Sequence, residues 1–309
     1  MGLRIIITAP TPPFLMETLT QKGYEVIYEP AITYEALSNI VDTATGLIVT
    51  TRLKIDQSII SAATQLKWIG RIGSGMELID TEFAASKNIQ CFSTPEGNCT
   101  TVGEHTLGLL LSLMNRIASA YTQIKNGQWI RDANRADELT GKTVGIIGFG
   151  NMGQALCQRL LGFGVKILAY DKYAPAPSPF GADLADIFQH ADIVSLHVPL
   201  TEETHGLVNQ DFLRSFKKPI VLMNSSRGPI TPLENVLWGL QEGIISGLAL
   251  DVLPNEKIKS WSQEEQLLFV QIKSYPNTLF SPHVAGWTTE SYLKINTVLI
   301  EKIRTLFHP

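Results

Sequence analysis

Three polar side chains of different chemistry each follow a predicted strand. Arg227 comes after "IVLMNSS", Glu256 after "GLALDVLPN" and His283 after "TLFSP". Ligands of doubly wound sheets bind outside the carboxyl ends of the strands, so these side chains are expected to converge there. An arginine fork pairs with a carboxylate and polarises a neighbouring C2 oxygen. The histidine then moves the hydroxyl proton, and the glutamate orients its ring and favours its protonated form. The set predicts the oxidation of an alcohol beside a carboxylate.

Each of these residues also has an ordinary structural alternative. A histidine flanked by apolar residues, as in "SPHVAG", is more often packed and hydrogen-bonded than catalytic. Charged residues in strand-end loops, such as Arg227 and Glu256, are usually just solvated. The catalytic interpretation rests on the three falling together on one sheet edge that also carries a nucleotide-binding turn.

That turn lies in "TVGIIGFGNMGQALCQRLLGFGVKILAYD". A predicted strand leads into G-x-G-x-x-G, which falls on Gly148, Gly150 and Gly153, and a predicted helix follows. The first glycine permits the tight turn, the second lets a pyrophosphate approach the backbone, and the third lets the helix pack close to the sheet. Free N–H groups of Asn151 and Met152 at the helix N-terminus are expected to bind the phosphates. A glycine turn without a ligand is the alternative.

Asp171 ends the next predicted strand, eighteen residues past Gly153. A carboxylate there accepts hydrogen bonds from the ribose diol of NAD and repels the 2′-phosphate of NADP. Lys172 follows directly and would weaken that discrimination. The predicted cofactor is NAD.

Strand and helix patterns alternate through two parts of the chain. The first part has five predicted strands: "LRIIITA", "YEVIYEP", "TGLIVTT", "LKWIGRIG" and "IQCFST". The second has six, from "GKTVGIIGFG" to "TLFSPHVAG". Between them, "TTVGEHTLGLLLSLMNRIASAYTQIKNGQW" is predicted as one long helix, and "SYLKINTVLIEKIRTLF" as a closing amphipathic helix. Such alternation predicts an α/β fold of two parallel-sheet domains.

Composition excludes several other classes of protein. A formal net charge of -4 with scattered basic residues argues against nucleic acid or an anionic membrane as a partner. The longest apolar stretch, "TLGLLLSLM", is too short to span a membrane, and the first apolar run is too short for a secretory signal. The three cysteines lack metal-ligand spacing, so no metal site is expected. Reduced thiols in a cytoplasmic protein are predicted: Cys91, Cys99 and Cys157.

Several motifs together resemble the D-isomer-specific 2-hydroxyacid dehydrogenase family: "ELTGKTVGIIGFGNMG", "LHVPLTEETHGLVN", "MNSSRG", "LALDVLPNE", "SPHVAG", "GRIGSGMELID" and "STPEGNCTTVGEHTLGLLLSL". The set is most similar to the phosphoglycerate-dehydrogenase-like branch, in a short form without a regulatory domain. The resemblance implies a discontinuous substrate domain, residues 1–99 plus 287–309, around an NAD-binding Rossmann domain, residues 100–286. It also implies a cleft between Rossmann-like and flavodoxin-like domains that closes around a small 2-hydroxy or 2-oxo acid, and a homodimer formed through the NAD domains and the long helix.

The resemblance assigns the catalytic roles to Arg227, Glu256 and His283, with Arg227 and His283 also contacting the substrate. Its substrate-carboxylate loop falls on Ser74 and Gly75, through their backbone N–H groups. Expected cofactor contacts beyond the glycine turn and Asp171 are His197, Pro199, Thr204, Ser225, Asp251 and Gly286.

A more specific role is expected for one strand-end aspartate and for two histidines. Asp251, at a strand tip, is expected to accept from the nicotinamide carboxamide. His197 is expected to fix the conformation of the loop "HVPLTEETHG", which covers the adenine end, and His105 to hold the two domains together.

The substrate stays open between D-3-phosphoglycerate and a hydroxypyruvate or glyoxylate type of acid. The related branch often carries an Arg-Ser pair after the third strand to hold a phosphate, whereas this chain has "VTTRLK", which leaves Arg52 or Lys54 as substitutes. Trp287 is either packed or lines the substrate pocket. An NAD(H)-sensing regulator of the co-repressor type is the alternative function. Glu256 argues against a formate dehydrogenase, which carries glutamine there, and a phosphite enzyme is a weaker candidate.

Overall fold

The computed structural model describes residues 3–306, and the chain divides into two compact units. One unit combines the residues up to Asn98 with those from Trp287 onwards, and the other is Cys99–Gly286. Within residues 3–306, no helix is long and apolar enough to cross a membrane.

The first unit is built on a five-stranded parallel sheet. Its strands are β1 (Arg4–Ile7), β2 (Glu25–Tyr28), β3 (Gly46–Val49), β4 (Trp68–Arg71) and β5 (Gln90–Phe92), in the spatial order β2-β1-β3-β4-β5. The connecting helices are α1 (Pro13–Gln21), α2 (Tyr34–Ser38), α3 (Gln57–Ala62) and α4 (Thr81–Ser86). Strands β3 and β4 are buried along their whole length, as central strands covered on both faces must be. The strand order is flavodoxin-like.

The second unit is built on a six-stranded parallel sheet. Two helices precede it, α5 (Cys99–Met114) and α6 (Ile117–Lys125). The strands are β6 (Thr143–Ile147), β7 (Lys166–Tyr170), β8 (Ile193–Leu196), β9 (Ile220–Asn224), β10 (Ile245–Leu250) and β11 (Thr278–Phe280), in the order β11-β10-β9-β8-β6-β7. The helices between them are α7 (Asn151–Leu160), α8 (Leu184–His190), α9 (Gln210–Ser215), α10 (Leu233–Gln241) and α11 (Gln263–Ser274). The prediction of two α/β parallel-sheet domains is confirmed.

The strand order of this second sheet reverses at β6. From β6 the chain moves outward to β7 and then returns to pair β8 on the other side of β6. A crevice for a ligand forms at such a reversal, outside the carboxyl ends of the two strands. Gly148 follows the end of β6 and His197 follows the end of β8, so both lie at this crevice.

The prediction of one long helix after residue 99 is wrong. Arg116 has a φ of 53° and a ψ of 28°, in the left-handed region, and this separates α5 from α6. Its guanidinium Nε donates to the Arg135 carbonyl at 3.1 Å, which holds the break in place. A left-handed residue cannot continue the ladder of a right-handed helix.

The last helix, α12 (Thr289–Ile303), packs within the first unit. A capping box formed by Thr288 and Ser291 starts it, two residues before the predicted beginning. It lies so close to the backbone at Gly97 that a Cβ there would be 2.6 Å from the Ile295 backbone. Phe307, the predicted end of this helix, lies outside the described residues, as do the outermost residues of the predicted substrate domain, 1–2 and 307–309.

Candidate active site

The glycine turn after β6 is shaped by close backbone approaches. Gly148 has a φ of +94°, and a Cβ on it would lie 2.5 Å from the His197 carbonyl oxygen. A Cβ on Gly153 would lie 2.0 Å from the Gly148 carbonyl oxygen. These two positions therefore require glycine, one for its dihedral angle and both for space.

The middle glycine differs because the space above it is open. A Cβ on Gly150 would meet nothing within 4 Å. Gly150 is also the N-cap of α7, and it has no side chain to accept from the first turn of the helix. The first-turn N–H groups of Asn151 and Met152 therefore have no capping side chain, and the dipole of α7 favours an anion at this end.

Asp171 lies just past the end of β7 and closes the turn from the side. One carboxylate oxygen accepts from the Phe149 N–H at 2.8 Å, and the other accepts from the N–H groups of Tyr173 and Ala174, both at 3.0 Å. Partial burial alone would raise the pKa of Asp171, but these backbone donors outweigh it and lower the pKa. The carboxylate is therefore ionised at neutral pH.

The loop after β8 faces the glycine turn. His197 donates its backbone N–H to the Ile147 carbonyl at 2.7 Å, and its Nε2 lies 2.8 Å from the Ser195 hydroxyl. Its Nδ1 is buried and has no hydrogen-bond partner within residues 3–306. Burial lowers the pKa of His197 to about 4, so the ring is neutral at physiological pH. Further along, the Thr204 hydroxyl donates to the Pro199 carbonyl at 2.6 Å and fixes the loop.

Glu256 and His283 are in direct contact. A Glu256 Oε1 lies 2.7 Å from the His283 Nδ1, and the two side chains are 47% and 42% exposed. Their loops follow the neighbouring parallel strands β10 and β11. The imidazole is therefore held at Nδ1, while its Nε2 has no hydrogen-bond partner among the described residues.

The backbone of His283 is in an unusual conformation, with a φ of +55°. Its N–H donates to the Asp251 carbonyl at 2.7 Å. Few residues other than glycine adopt positive φ, and where they do, the surrounding structure has to hold them.

Asp251 provides that support. Its side chain is 0% exposed, and it accepts from the N–H groups of Val284 and Ala285 at 3.0 and 2.9 Å and from the Ser281 hydroxyl at 2.6 Å. Burial alone would raise the pKa of Asp251, but its side-chain and backbone donors lower it overall. The contact with the nicotinamide carboxamide stays a prediction, while the carboxylate itself fixes the turn that carries His283.

His105 also belongs to this cluster, while its role in holding the two domains together stays a prediction. Its Nε2 lies 3.0 Å from the Ser281 hydroxyl and 3.4 Å from Asp251 Oδ1. Both partners lie in the same unit as His105, so the histidine links helix α5 to the carboxyl edge of its own sheet. No local pattern in the sequence indicates these contacts, because the partners are 146 and 176 residues away along the chain.

Arg227 lies in a turn organised by Asn224. The Asn224 amide donates to the Arg227 carbonyl at 2.9 Å, and its oxygen accepts from the Ser226 N–H at 2.9 Å. A Cβ on Gly228 would lie 2.0 Å from the Leu253 backbone, so the Arg227 turn packs against the loop that leads to Glu256.

Ser225, in the same turn, shares a 2.9 Å hydrogen bond with Thr106 on α5. Sequence reasoning missed Asn224, although a polar residue at the end of a buried strand was a visible signal.

Ser74 and Gly75 lie in the loop after β4 of the first unit. The Ser74 hydroxyl donates to the Asn98 side-chain oxygen at 2.9 Å, and the Gly75 carbonyl accepts from Arg71 Nε at 3.1 Å. These bonds hold the loop through its side chains and a carbonyl.

Trp287, in the same unit, is 78% exposed, which excludes the alternative that it is a packed core residue. Gly286 directly follows the turn fixed by Asp251.

The second unit fits a bound dinucleotide in three respects. There is open space above Gly150, an uncapped helix N-terminus points at it, and Asp171 is ionised beside it. For metals, no group of three or more His, Cys, Asp or Glu side chains within residues 3–306 is arranged to hold an ion. A dinucleotide-binding sheet with a histidine–carboxylate pair at the same edge is typical of a nicotinamide-dependent dehydrogenase.

Comparisons with known proteins identify the family. The model of the D-isomer specific 2-hydroxyacid dehydrogenase NAD-binding domain matches residues 107–285. The chain is 31% identical to the hydroxypyruvate reductase of Thermotoga maritima, covering 97% of both chains. It is 32% identical to the D-3-phosphoglycerate dehydrogenase of Methanocaldococcus jannaschii, over 98% of this chain but only 57% of that protein.

A solved structure agrees with these matches. The D-lactate dehydrogenase of Aquifex aeolicus, complexed with NAD and lactic acid, superimposes with a TM-score of 0.82 at 26% identity, over 98% of this chain and 95% of that one. The chain therefore belongs to the D-isomer-specific 2-hydroxyacid dehydrogenase family of NAD-dependent oxidoreductases, and residues 107–285 are its NAD-binding domain.

Proposed function

We propose that the protein uses NADH to reduce a small, unphosphorylated 2-oxo acid of the hydroxypyruvate type to the D-2-hydroxy acid. The observation that carries this proposal is the 2.7 Å contact between Glu256 and His283. It lies at the carboxyl edge of the same sheet whose β6–β8 crevice fits a dinucleotide.

The residues then have complementary tasks. NADH, when bound, supplies the hydride to C2 of the substrate. Glu256 holds the protonated imidazole of His283 at Nδ1, which leaves the Nε2–H to donate a proton to the C2 oxygen. Arg227 pairs with the substrate carboxylate and polarises the C2 carbonyl. In the reverse direction, His283 accepts the hydroxyl proton.

The surroundings of the candidate phosphate ligands support an unphosphorylated substrate. Arg52 donates Nε and Nη2 to the Thr8 carbonyl at 3.3 and 2.7 Å, which holds its guanidinium against the loop that follows β1. Lys54 lies in a surface depression whose other charged side chains are Asp56, Glu77 and Asp80. Three carboxylates around one lysine disfavour a phosphate.

The roles of the two domains and the substrate contacts are proposed as well. Residues 1–99 and 287–309 are the substrate domain, and residues 100–286 are the NAD-binding domain. The backbone N–H groups of Ser74 and Gly75 bind the substrate carboxylate. Trp287 lines the substrate pocket and limits the side chain of the acid, which its high exposure supports.

The protein is also proposed to be a homodimer in the reducing cytoplasm. Helix α6 exposes Ile117, Tyr121 and Ile124 on one face, and the nearby Trp129 is 82% exposed. An apolar stripe of this kind supports burial against a second copy. None of the three cysteines forms a disulfide within residues 3–306, which supports a reducing compartment.

A substrate panel tests the proposal. NADH oxidation is measured with glyoxylate, hydroxypyruvate, pyruvate, longer 2-oxo acids and 3-phosphohydroxypyruvate. We expect kcat/KM to be highest for an unphosphorylated acid, and chiral analysis to identify the product as the D isomer. Preference for the phosphorylated acid would contradict the substrate assignment. Tight NADH binding with no turnover of any acid would instead favour the regulator of the co-repressor type.

A further inference from the structure

An ion pair crosses the edge of the crevice where the ribose of the dinucleotide is expected. Lys172, which directly follows Asp171, places its Nζ 2.5 Å from Oε2 of Glu203. Glu203 belongs to the loop after β8, so the bond joins the two loops on either side of β6. Both side chains remain about half exposed.

The position of Lys172 suits it to bind one particular group of a dinucleotide. A cation beside the acidic residue that ends the second strand of a dinucleotide sheet is placed to bind a 2′-phosphate. An unengaged Lys172 would therefore attract NADP(H) and offset the repulsion from Asp171. The sequence alone shows this conflict between neighbouring charges but not how the fold resolves it.

We propose that Glu203 is a cofactor-specificity residue that withholds Lys172 from the 2′-phosphate of NADP(H). This inference rests on the proposed NAD site at Asp171. Pairing with Glu203 neutralises the lysine and places a second carboxylate near the expected 2′-position. The mouth of the site therefore keeps a net negative charge, which disfavours a phosphate there.

The neighbouring contacts hold Glu203 where this role requires it. The Tyr173 hydroxyl donates to the same Oε2 at 3.2 Å, and the Lys172 ammonium lies 5.5 Å from the centre of the Tyr173 ring. Thr204, the next residue, fixes the loop backbone through its 2.6 Å bond to the Pro199 carbonyl. The hydrogen bond between the two charged groups raises the pKa of Lys172 and lowers the pKa of Glu203, so both stay charged at neutral pH.

Glu203→Gln tests the proposal through binding alone. Dissociation constants for NADH and NADPH are measured by nucleotide fluorescence at low ionic strength, with no substrate present. Exposed ion pairs are weak, so we expect the Kd for NADPH to fall about fivefold while the Kd for NADH stays within about twofold. The gain in NADPH affinity should be smaller at high salt, because exposed charges are screened.

Two further variants isolate the cause. Glu202→Gln removes the same charge from the adjacent exposed residue and should leave both constants unchanged. Lys172→Ala combined with Glu203→Gln should abolish the gain in NADPH affinity. An unchanged Kd for NADPH in Glu203→Gln, or a gain that persists without Lys172, would overturn the proposal. Failure of the wild-type protein to bind either nucleotide would instead contradict the NAD site itself.

Discussion

The backbone conformation of His283 determines how the proposed proton relay with Glu256 is arranged. His283 has a φ of +55°, a value that glycine usually adopts, and its side chain lies beside Glu256. Holding a non-glycine residue there has an energetic cost, which is met by the hydrogen bonds around it. The sequence predicted the partner residues from strand ends, but it could not predict this backbone strain, because "SPHVAG" contains no signal for a left-handed histidine.

His197 is a second histidine whose surroundings have a measurable consequence. Burial lowers its pKa to about 4, so near pH 5 the folded chain keeps the ring neutral while the unfolded chain protonates it. The free energy of unfolding therefore falls as the pH drops from about 6.5 to about 4, by up to roughly 3 kcal/mol. Urea unfolding at pH 7 and pH 4.5 measures this loss.

The comparison that isolates His197 uses two variants. His197→Gln cannot titrate and should lose less stability between the two pH values than the wild type. His190→Gln changes an exposed histidine at the end of α8 and should leave the pH dependence as it is. An equal loss in wild type and His197→Gln would show that this ring is not a source of acid sensitivity.

At the scale of elements, one buried carboxylate joins three segments of the chain. Asp251 directly follows β10, accepts from the turn after β11 and lies within reach of His105 on α5. Sequence reasoning placed Asp251 correctly at a strand tip but could not predict its partners, since they come from distant parts of the chain. Only the folded sheet brings them together.

Asp251→Asn tests the strength of this junction. Asparagine keeps the shape but replaces one acceptor oxygen with a donor, which leaves at least one buried N–H or hydroxyl group without a partner. We expect the free energy of unfolding at pH 7 to fall by about 2–3 kcal/mol. Asp211→Asn, at a solvent-exposed carboxylate on α9, should change it by less than about 0.5 kcal/mol. Equal effects of the two substitutions in urea unfolding would refute the structural role of Asp251.

The break between α5 and α6 shows where periodicity misleads. Apolar residues recur at helical spacing through the whole segment, and neither glycine nor proline marks the break at Asn115 and Arg116. The structure instead turns at Arg116, whose side chain is bonded to the Arg135 carbonyl. A tertiary contact thus overrides a local pattern, which is the usual reason that helix boundaries escape prediction.

At the scale of the whole molecule, the sequence predicted both parallel sheets and the number of strands in each. Alternating β-branched runs and amphipathic segments leave little choice of architecture, because parallel strands need crossover helices. The spatial order of the strands carries no such local signal. It is this order that places Gly148 and His197 at the reversal between β6 and β8.

We infer that His283 moves the proton while the rest of the second unit binds the dinucleotide. The most direct measurement is therefore kcat for the preferred 2-oxo acid, together with the Kd for NADH, in His283→Asn and in the surface control His190→Asn. We expect kcat to fall about a thousandfold in His283→Asn, with NADH affinity within a few-fold of the wild type and the control unaffected. Near-normal turnover by His283→Asn would contradict this inference.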